Sequence, residues 1–386
     1  MTDPLDPGTD VGLYVHWPYC SRICPYCDFN VVRDRGRGEE QAALAGAILA
    51  DLEAQAALAG PRRLASIFFG GGTPSLMDPA AVAAIIDRAR TLFPPRGDIE
   101  ITLEANPTDA EAGRFAALAE AGINRLSMGV QALDDEALAF LGRNHSASEA
   151  LRAVELAGRL FPRLSIDLIY ARPGQTPDAW AEELMTALAL GFEHVSPYQL
   201  TIEAETAFGR AQRRGALVPP DEDRAAALYE TTQAVLEAAG FEAYEVSNHA
   251  RGAAARSAHN LHVWRGGDYL GLGPGAHGRL TLDGVRTATV AHRRIPGYVA
   301  GVAAHAPWAE REALSPADAA EERLLLGLRT VEGVPTGLLS DLNLSPGSPP
   351  VADLMAEGFL TVSGDRLVAT PPGRPVLDGV LKALLT

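Results

Sequence analysis

The chain has 386 residues and a mass of 40.8 kDa, a length that fits one large domain or two ordinary ones. Apolar residues make up 47% and charged residues 21%, the balance of a packed chain rather than a disordered one. Lys and Arg number 33 against 49 Asp and Glu, a formal charge of −16; such a field repels phosphate backbones and argues against a nucleic-acid partner.

Taken in chain order, the segment Met1–Asp10 carries aspartates and no basic residue, unlike a signal or transit peptide. A first strand is expected at Gly12–His16. Further short, continuous apolar runs follow at Leu64–Phe69, Ile99–Glu104, Arg125–Val130, Leu164–Ile169 and His194–Leu200, the pattern of strands covered on both faces. Helices are expected between them at Glu39–Ala59, Pro79–Leu92, Asp109–Glu120, Ser148–Leu160 and Pro177–Leu190, with Asp221–Ala239 after an irregular segment. Asp78-Pro79 reads as a cap followed by a first-turn proline, and Gly122, Gly191 and Gly240 stand where helix ends need glycine. No apolar run is expected to reach the roughly 18–20 residues of a membrane span. An integral membrane segment is therefore not predicted, and a cytoplasmic location is.

Six βα repeats imply a parallel sheet. Polar residues recur at the carboxyl ends of its strands: His16, Gly70–Thr73, Glu104–Asn106, Gln131, Asp167 and Gln199. Parallel α/β folds bind ligands on that edge, which favours a barrel or partial barrel. After about Pro296 the pattern changes. A helix at Ala317–Thr330, a segment Thr336–Leu342, a helix near Val351–Glu357 and strands Phe359–Thr361 and Arg366–Ala369 read as a small winged-helix-like domain. Residues 1–300 are thus assigned to the barrel with an irregular extension, and 301–386 to the small domain. Ser315–Thr386 holds five basic and nine acidic residues, which favours packing or partner docking over DNA binding.

The three cysteines, Cys20, Cys24 and Cys27, are the whole complement and lie in a loop after the first strand. An odd, clustered set excludes a disulfide framework. The C-x3-C-x2-C spacing suits an iron–sulfur cluster, and three thiols would leave one iron of a [4Fe–4S] cube open to a small molecule. A structural zinc site is the alternative, with His16 as a fourth ligand.

With these residues in place, the chain resembles the radical S-adenosylmethionine (SAM) superfamily, whose fold is a partial (βα)6, TIM-like barrel. Phe69-Gly-Gly-Gly-Thr-Pro-Ser75 falls where that superfamily has a glycine-rich SAM site; glycines let the backbone approach a ligand closely. Glu100–Pro107, Asn124–Gln131, Ser165–Tyr170 and Gly267–His277 narrow the likeness to the oxygen-independent coproporphyrinogen III oxidase-like family. The resemblance implies SAM contacts at Tyr14, Tyr26, Gly71, Gly72, Thr73, Glu104, Gln131, Arg143 and Asp167. It also implies reductive cleavage of SAM to methionine and a 5′-deoxyadenosyl radical, and a reducing partner protein such as flavodoxin or ferredoxin.

That family has an oxidase branch and a haem chaperone branch of HemW type. The oxidases carry a longer arm before the cluster and a fourth cysteine two residues after the third. Here 19 residues precede Cys20, and Phe29 holds the fourth position. Ser257-Ala-His-Asn-Leu-His-Val-Trp264 is similar to the chaperones' HNxxYW motif, with Val263 in place of tyrosine. The resemblance makes His259 the expected haem ligand, with His249, His262 and His277 as competitors. No CxxCH motif is present, so no c-type covalent haem is expected. Arg210, Arg213 and Arg214 read as a solvated basic face more than as partners for haem propionates. The favoured function is a [4Fe–4S] haem chaperone that delivers haem to apo-haemoproteins, respiratory enzymes among them. Coproporphyrinogen III oxidation is the runner-up, and true oxidase activity is not expected.

Overall fold

The computed structural model describes residues 10–95 and 97–386, so the acidic segment before Asp10 lies outside the described residues. Its main sheet contains β1 (Asp10–Trp17), β2 (Arg63–Gly71), β3 (Glu100–Ala105), β4 (Arg125–Gln131), β5 (Arg163–Tyr170) and β6 (His194–Gln199). These match the six expected strands to within two residues at either end. Each pairs in parallel with the next. Residues such as Leu13, Val15, Ile67, Phe69, Ile101, Leu103, Leu126 and Met128 are fully buried. These lie at alternate positions, on one face of each strand, while the other face carries buried polar residues such as Ser66, Thr102, Ser127 and Ser165, so the strands alternate rather than run continuously apolar.

Six more strands extend this sheet. β7 (Glu242–Glu245) and β8 (Asn248–Ala250) lie beyond β6. On the other side lie β9 (Asp268–Leu272), β10 (His277–Leu282), β11 (Val285–Ala291) and β12 (Trp308–Ala313). The order is β12-β11-β10-β9-β1-β2-β3-β4-β5-β6-β8-β7. β9 runs parallel to β1, while β10 to β12 form an antiparallel meander. Among the described residues the two ends of this order do not pair, so the barrel is partial, as expected.

Helices α1 (Gly38–Ala59), α2 (Pro79–Leu92), α6 (Ala147–Leu160), α7 (Pro177–Leu188) and α9 (Glu222–Ala238) follow the expected pattern. Asp78 accepts from the Ala80 N–H, and Ser146 forms a reciprocal capping box with Glu149. The helix expected at Asp109–Glu120 is instead two, α3 (Asp109–Ala112) and α4 (Phe115–Glu120). Gly113 stands at the break, where helix propensity is low. Three short helices were not anticipated: α5 (Asp135–Phe140), α8 (Ala207–Arg213) and α10 (Ala258–Trp264). α11 (Ile295–Ala303) joins β11 to β12.

The expectation that no apolar run reaches span length needs correcting. α1 has 22 residues and contains an 18-residue stretch with a mean hydropathy of 1.4, long and apolar enough to cross a membrane by length and composition. Here it packs on the barrel. Its Asp51 accepts from the Tyr298 hydroxyl at 2.7 Å, and its Gln55 donates to the Gly271 carbonyl at 3.1 Å. Both polar residues are buried, so the helix reads as apolar because one face is core.

The carboxyl-terminal part has its own core, including Leu324, Leu328, Val351, Leu367 and Val380. It comprises α12 (Pro316–Gly327), β13 (Val334–Pro335), α13 (Pro349–Ala356), β14 (Leu360–Ser363), β15 (Arg366–Ala369) and an unanticipated α14 (Leu377–Leu385). Helices followed by the β14–β15 hairpin make the expected winged-helix-like unit. Buried Glu245 accepts from Arg329 Nε at 2.7 Å and so ties this part to the barrel.

Candidate functional site

The cysteine loop leaves β1 and is held against the end of β2 by backbone bonds. The Gly72 N–H donates to the Trp17 carbonyl at 2.7 Å and the Thr73 N–H to the Tyr19 carbonyl at 2.8 Å. The Gly71 N–H donates to Glu104 Oε2 at 3.1 Å. These N–H groups therefore build the loop and its contact with β3. Gly71 has φ of +107°, and a Cβ on Gly72 would lie 2.7–2.8 Å from the backbone of Pro18 and Tyr19. The glycines are needed for close packing of loop on strand.

Cys20, Cys24 and Cys27 line one cavity of about 450 Å3, a size usual for small-molecule sites. Burial pushes the Cys20 thiol up to about 11 and raises that of Cys27. Among the described residues, no three Cys, His, Asp or Glu side chains stand together as a site for a single metal ion. His16, the fourth zinc ligand considered above, is committed elsewhere. Its Nδ1 meets the Tyr14 hydroxyl at 3.0 Å and its Nε2 the Asn30 carbonyl at 2.8 Å. Three thiols arranged along the wall of a cavity are a donor set that could hold a polynuclear iron–sulfur group.

The same cavity is lined by Tyr26, Gly71, Gly72, Thr73, Glu104, Gln131, Arg143 and Asp167. Eight of the nine residues expected around SAM thus converge. Tyr14 does not line it; it stands on the wall of a neighbouring cavity. Arg143 donates to Cys24 Sγ at 3.3 Å, to the Gly129 carbonyl at 3.0 Å and to Asn106. Its Nε is buried without a partner among the described residues. Gln131 ends β4 with φ of +70°, a conformation that costs energy outside glycine and occurs most at functional sites. Burial, with Asp167 nearby, pushes the Glu104 carboxyl up to about 8. Burial likewise brings Asp167 to about 6, against the hydrogen bonds of Ser196 and Ser127. Two acidic groups in one apolar-walled space suit a cationic ligand. Ser127 and Tyr198 also line this cavity and were missed in the sequence. The signal for Ser127 is the two-residue alternation that places it with Gly129 and Gln131 on β4; Tyr198 stands one residue before the strand-end Gln199 on β6.

The neighbouring cavity measures about 670 Å3 and is lined by His259, Val263, Trp264, Tyr269, His277 and Phe68, among others. Asp28, Phe29, Gly71 and Glu104 belong to the walls of both cavities. Phe29 is 63% exposed, an unusual position for a phenylalanine. His259 meets the Ser66 hydroxyl through Nδ1 at 2.9 Å and stacks on Phe68, with ring centres 5.1 Å apart. Of its competitors, only His277 shares this cavity. His262 is bonded to the Asp268 carbonyl at 2.7 Å, and His249 to Gln233 Oε1 at 3.1 Å. Arg210 and Arg213 donate to the carbonyls of Glu205 and Ala204 at the start of α8. With Arg214 they are exposed and line neither cavity.

Comparisons with known proteins agree with this geometry. Residues 14–187 match the model of the radical SAM superfamily, and residues 314–376 that of the HemN C-terminal domain. The chain is 41% identical to the mitochondrial radical S-adenosyl methionine domain-containing protein 1 of Bos taurus, over 98% of this chain and 88% of that protein. It is 36% identical to the heme chaperone HemW of Escherichia coli (strain K12), over 97% of this chain and 98% of that protein. The solved structure of the Escherichia coli coproporphyrinogen III oxidase HemN superposes with a TM-score of 0.81 at 22% identity, over 99% and 92% of the two chains. That likeness shows the fold. The chain belongs to the radical SAM superfamily, in the HemW branch of the HemN-like proteins.

Proposed function

We propose that this chain carries a [4Fe–4S] cluster on Cys20, Cys24 and Cys27, binds SAM in the smaller cavity and haem in the larger, and passes the haem to apo-haemoproteins. The observation that carries the reading is the shared wall: Asp28, Phe29, Gly71 and Glu104 separate a cavity lined by three thiols from one lined by His259. The buried, partnerless Nε of Arg143 suits a ligand carboxylate. Glu104 and Asp167 suit ribose hydroxyls or a sulfonium charge. Tyr26, Gly71, Gly72, Thr73 and Gln131 complete the SAM contacts, and Tyr14 would touch SAM only where the two cavities meet. When bound, the cluster supplies single electrons; the barrel's part is to orient ligands and exclude water.

Imidazole is a common haem ligand, and Trp264 and Tyr269 offer aromatic faces to a macrocycle. Relatives named heme chaperone support delivery as the function. Respiratory haemoproteins as recipients, a flavodoxin or ferredoxin as reductant, and a cytoplasmic site of action belong to the same proposal. Some relatives are named mitochondrial.

The test uses one anaerobically reconstituted sample, titrated with haem and assayed in parallel for coproporphyrinogen III decarboxylation. Haem binding that is lost in His259→Ala, with no tetrapyrrole turnover, is the expected result. Robust decarboxylation would reverse the reading in favour of the oxidase. An unchanged Soret band in His259→Ala would remove that histidine as the ligand.

A further inference from the structure

Glu100 opens β3 at the end of the barrel remote from the cysteine loop. Its side chain is 1% exposed. The carboxylate takes the N–H groups of Ala258 and His259, each at 3.0 Å, and the Ser257 hydroxyl at 3.3 Å. Arg163 pairs with it at 2.8 Å and Arg125 stands at 3.8 Å. The first turn of any helix has orphan N–H donors. Those of α10 are met by a carboxylate some 160 residues earlier in the chain, in addition to the local cap in which Ser257 accepts from the Asn260 N–H. A local cap would have served the helix alone. A buried carboxylate held by two arginines fixes where the helix starts relative to the sheet.

Ser66 is the register partner of Glu100 across the β2–β3 pair. Its hydroxyl meets His259 Nδ1 at 2.9 Å, and Phe68, two residues on, stacks on the ring at an interplanar angle of 30°. The backbone N–H, one ring nitrogen and one ring face of His259 are thereby all engaged. Among the described residues Nε2 has no hydrogen-bond partner, and the residue lines the larger cavity. An imidazole that donates its Nδ1 proton to an oxygen keeps the Nε2 lone pair for a metal.

We infer that Glu100 and Ser66 are positioning residues that hold the His259 ring with Nε2 turned to the larger cavity. The inference rests on the proposed haem reading of that cavity.

Three variants test this in the full-length protein: Ser66→Ala, Glu100→Gln and His259→Ala. Ser66→Ala removes one hydroxyl and leaves the arginines paired. It should leave the circular dichroism spectrum and iron content unchanged and weaken haem binding about tenfold or more, the usual effect of removing a residue that orients a metal ligand. It should also shift the ferric haem EPR signature. In the haem-free protein, nitrogen NMR should find His259 protonated on Nδ1, and Ser66→Ala should mix the two tautomers. Glu100→Gln should weaken haem binding in the same way; if it fails to fold, Ser66→Ala alone decides. Should His259→Ala leave the haem spectrum unchanged, the ligand reading itself fails. Should His259→Ala alter the spectrum while folded Ser66→Ala and Glu100→Gln keep wild-type affinity, EPR and tautomer, the ligand stands and the positioning role is overturned.

Discussion

Arg143 donates Nη1 to the Sγ of Cys24 at 3.3 Å. The same guanidinium holds the Gly129 carbonyl and Asn106, so one side chain joins the cysteine loop to the carboxyl ends of β3 and β4. Arg143→Lys keeps the charge and loses the fork. Hydrogen bonds to charged groups contribute about 1.5–3 kcal/mol. SAM affinity, measured by isothermal titration on the reconstituted protein, should fall about tenfold or more while iron content stays near wild type.

Glu104 and Asp167 share the smaller cavity, and burial is the main reason their carboxyls stand at about 8 and about 6. A carboxyl raised on folding binds its proton more tightly in the folded state. Stability of the ligand-free protein therefore falls as pH rises from the ordinary carboxylate range through about 8. Melting temperatures across that range should show the decline, and Glu104→Gln should flatten it. A cationic ligand prefers the carboxylate, so SAM affinity of the wild type should rise over the same interval. In Glu104→Gln the rise above about pH 6 should disappear, and the part below it, which belongs to Asp167, should remain.

A methyl group at position 72 would collide with the backbone of Pro18 and Tyr19. Backbone cannot move aside as a flexible side chain can, and overpacking of this kind costs about 1–3 kcal/mol. The strain falls on the cysteine loop rather than on the core. Gly72→Ala should retain barrel circular dichroism but take up much less iron on reconstitution, read by iron and sulfide assay.

Phe29 is largely exposed and belongs to both cavity walls. Truncating an exposed side chain leaves stability within about 0.5 kcal/mol. Burying the same ring under a ligand is worth about 1.5–3 kcal/mol. Phe29→Ala should therefore melt like wild type and bind haem about tenfold more weakly or worse. An unchanged haem titration would remove Phe29 from the site.

The six parallel strands and their helices were legible because short β-branched and leucine-rich runs alternate with helical stretches in a regular βα rhythm. The meander β10–β12 was not. Its strands are partly exposed, and Gly267–His277 entered only as a family likeness although β9 and the start of β10 run through it. α5, α8 and α10 are six or seven residues long, too short for helical periodicity to stand out. Within the site, the cysteines announced themselves by spacing, and the strand-end residues by position. Tyr14 lines the other cavity together with His16, two residues on along β1. Glu100 was invisible as a functional residue. It sits in the alternation Glu100, Thr102, Glu104, but its partners lie some 160 residues away, and no local pattern connects them.

β1 lies between β2 and β9 in the sheet, and β9 begins at Asp268. During synthesis the first strand can pair on one side early, but its other edge waits until some 250 further residues have left the ribosome. That edge is a row of unpaired backbone groups on a strand whose Val11, Leu13 and Val15 are fully buried in the finished fold. Such contacts, distant in sequence, form slowly and leave an unpaired strand open to association in the meantime. The nascent chain is thus most exposed to aggregation before its last third is made, and truncations that remove β9 should yield insoluble protein even with the cysteine motif intact.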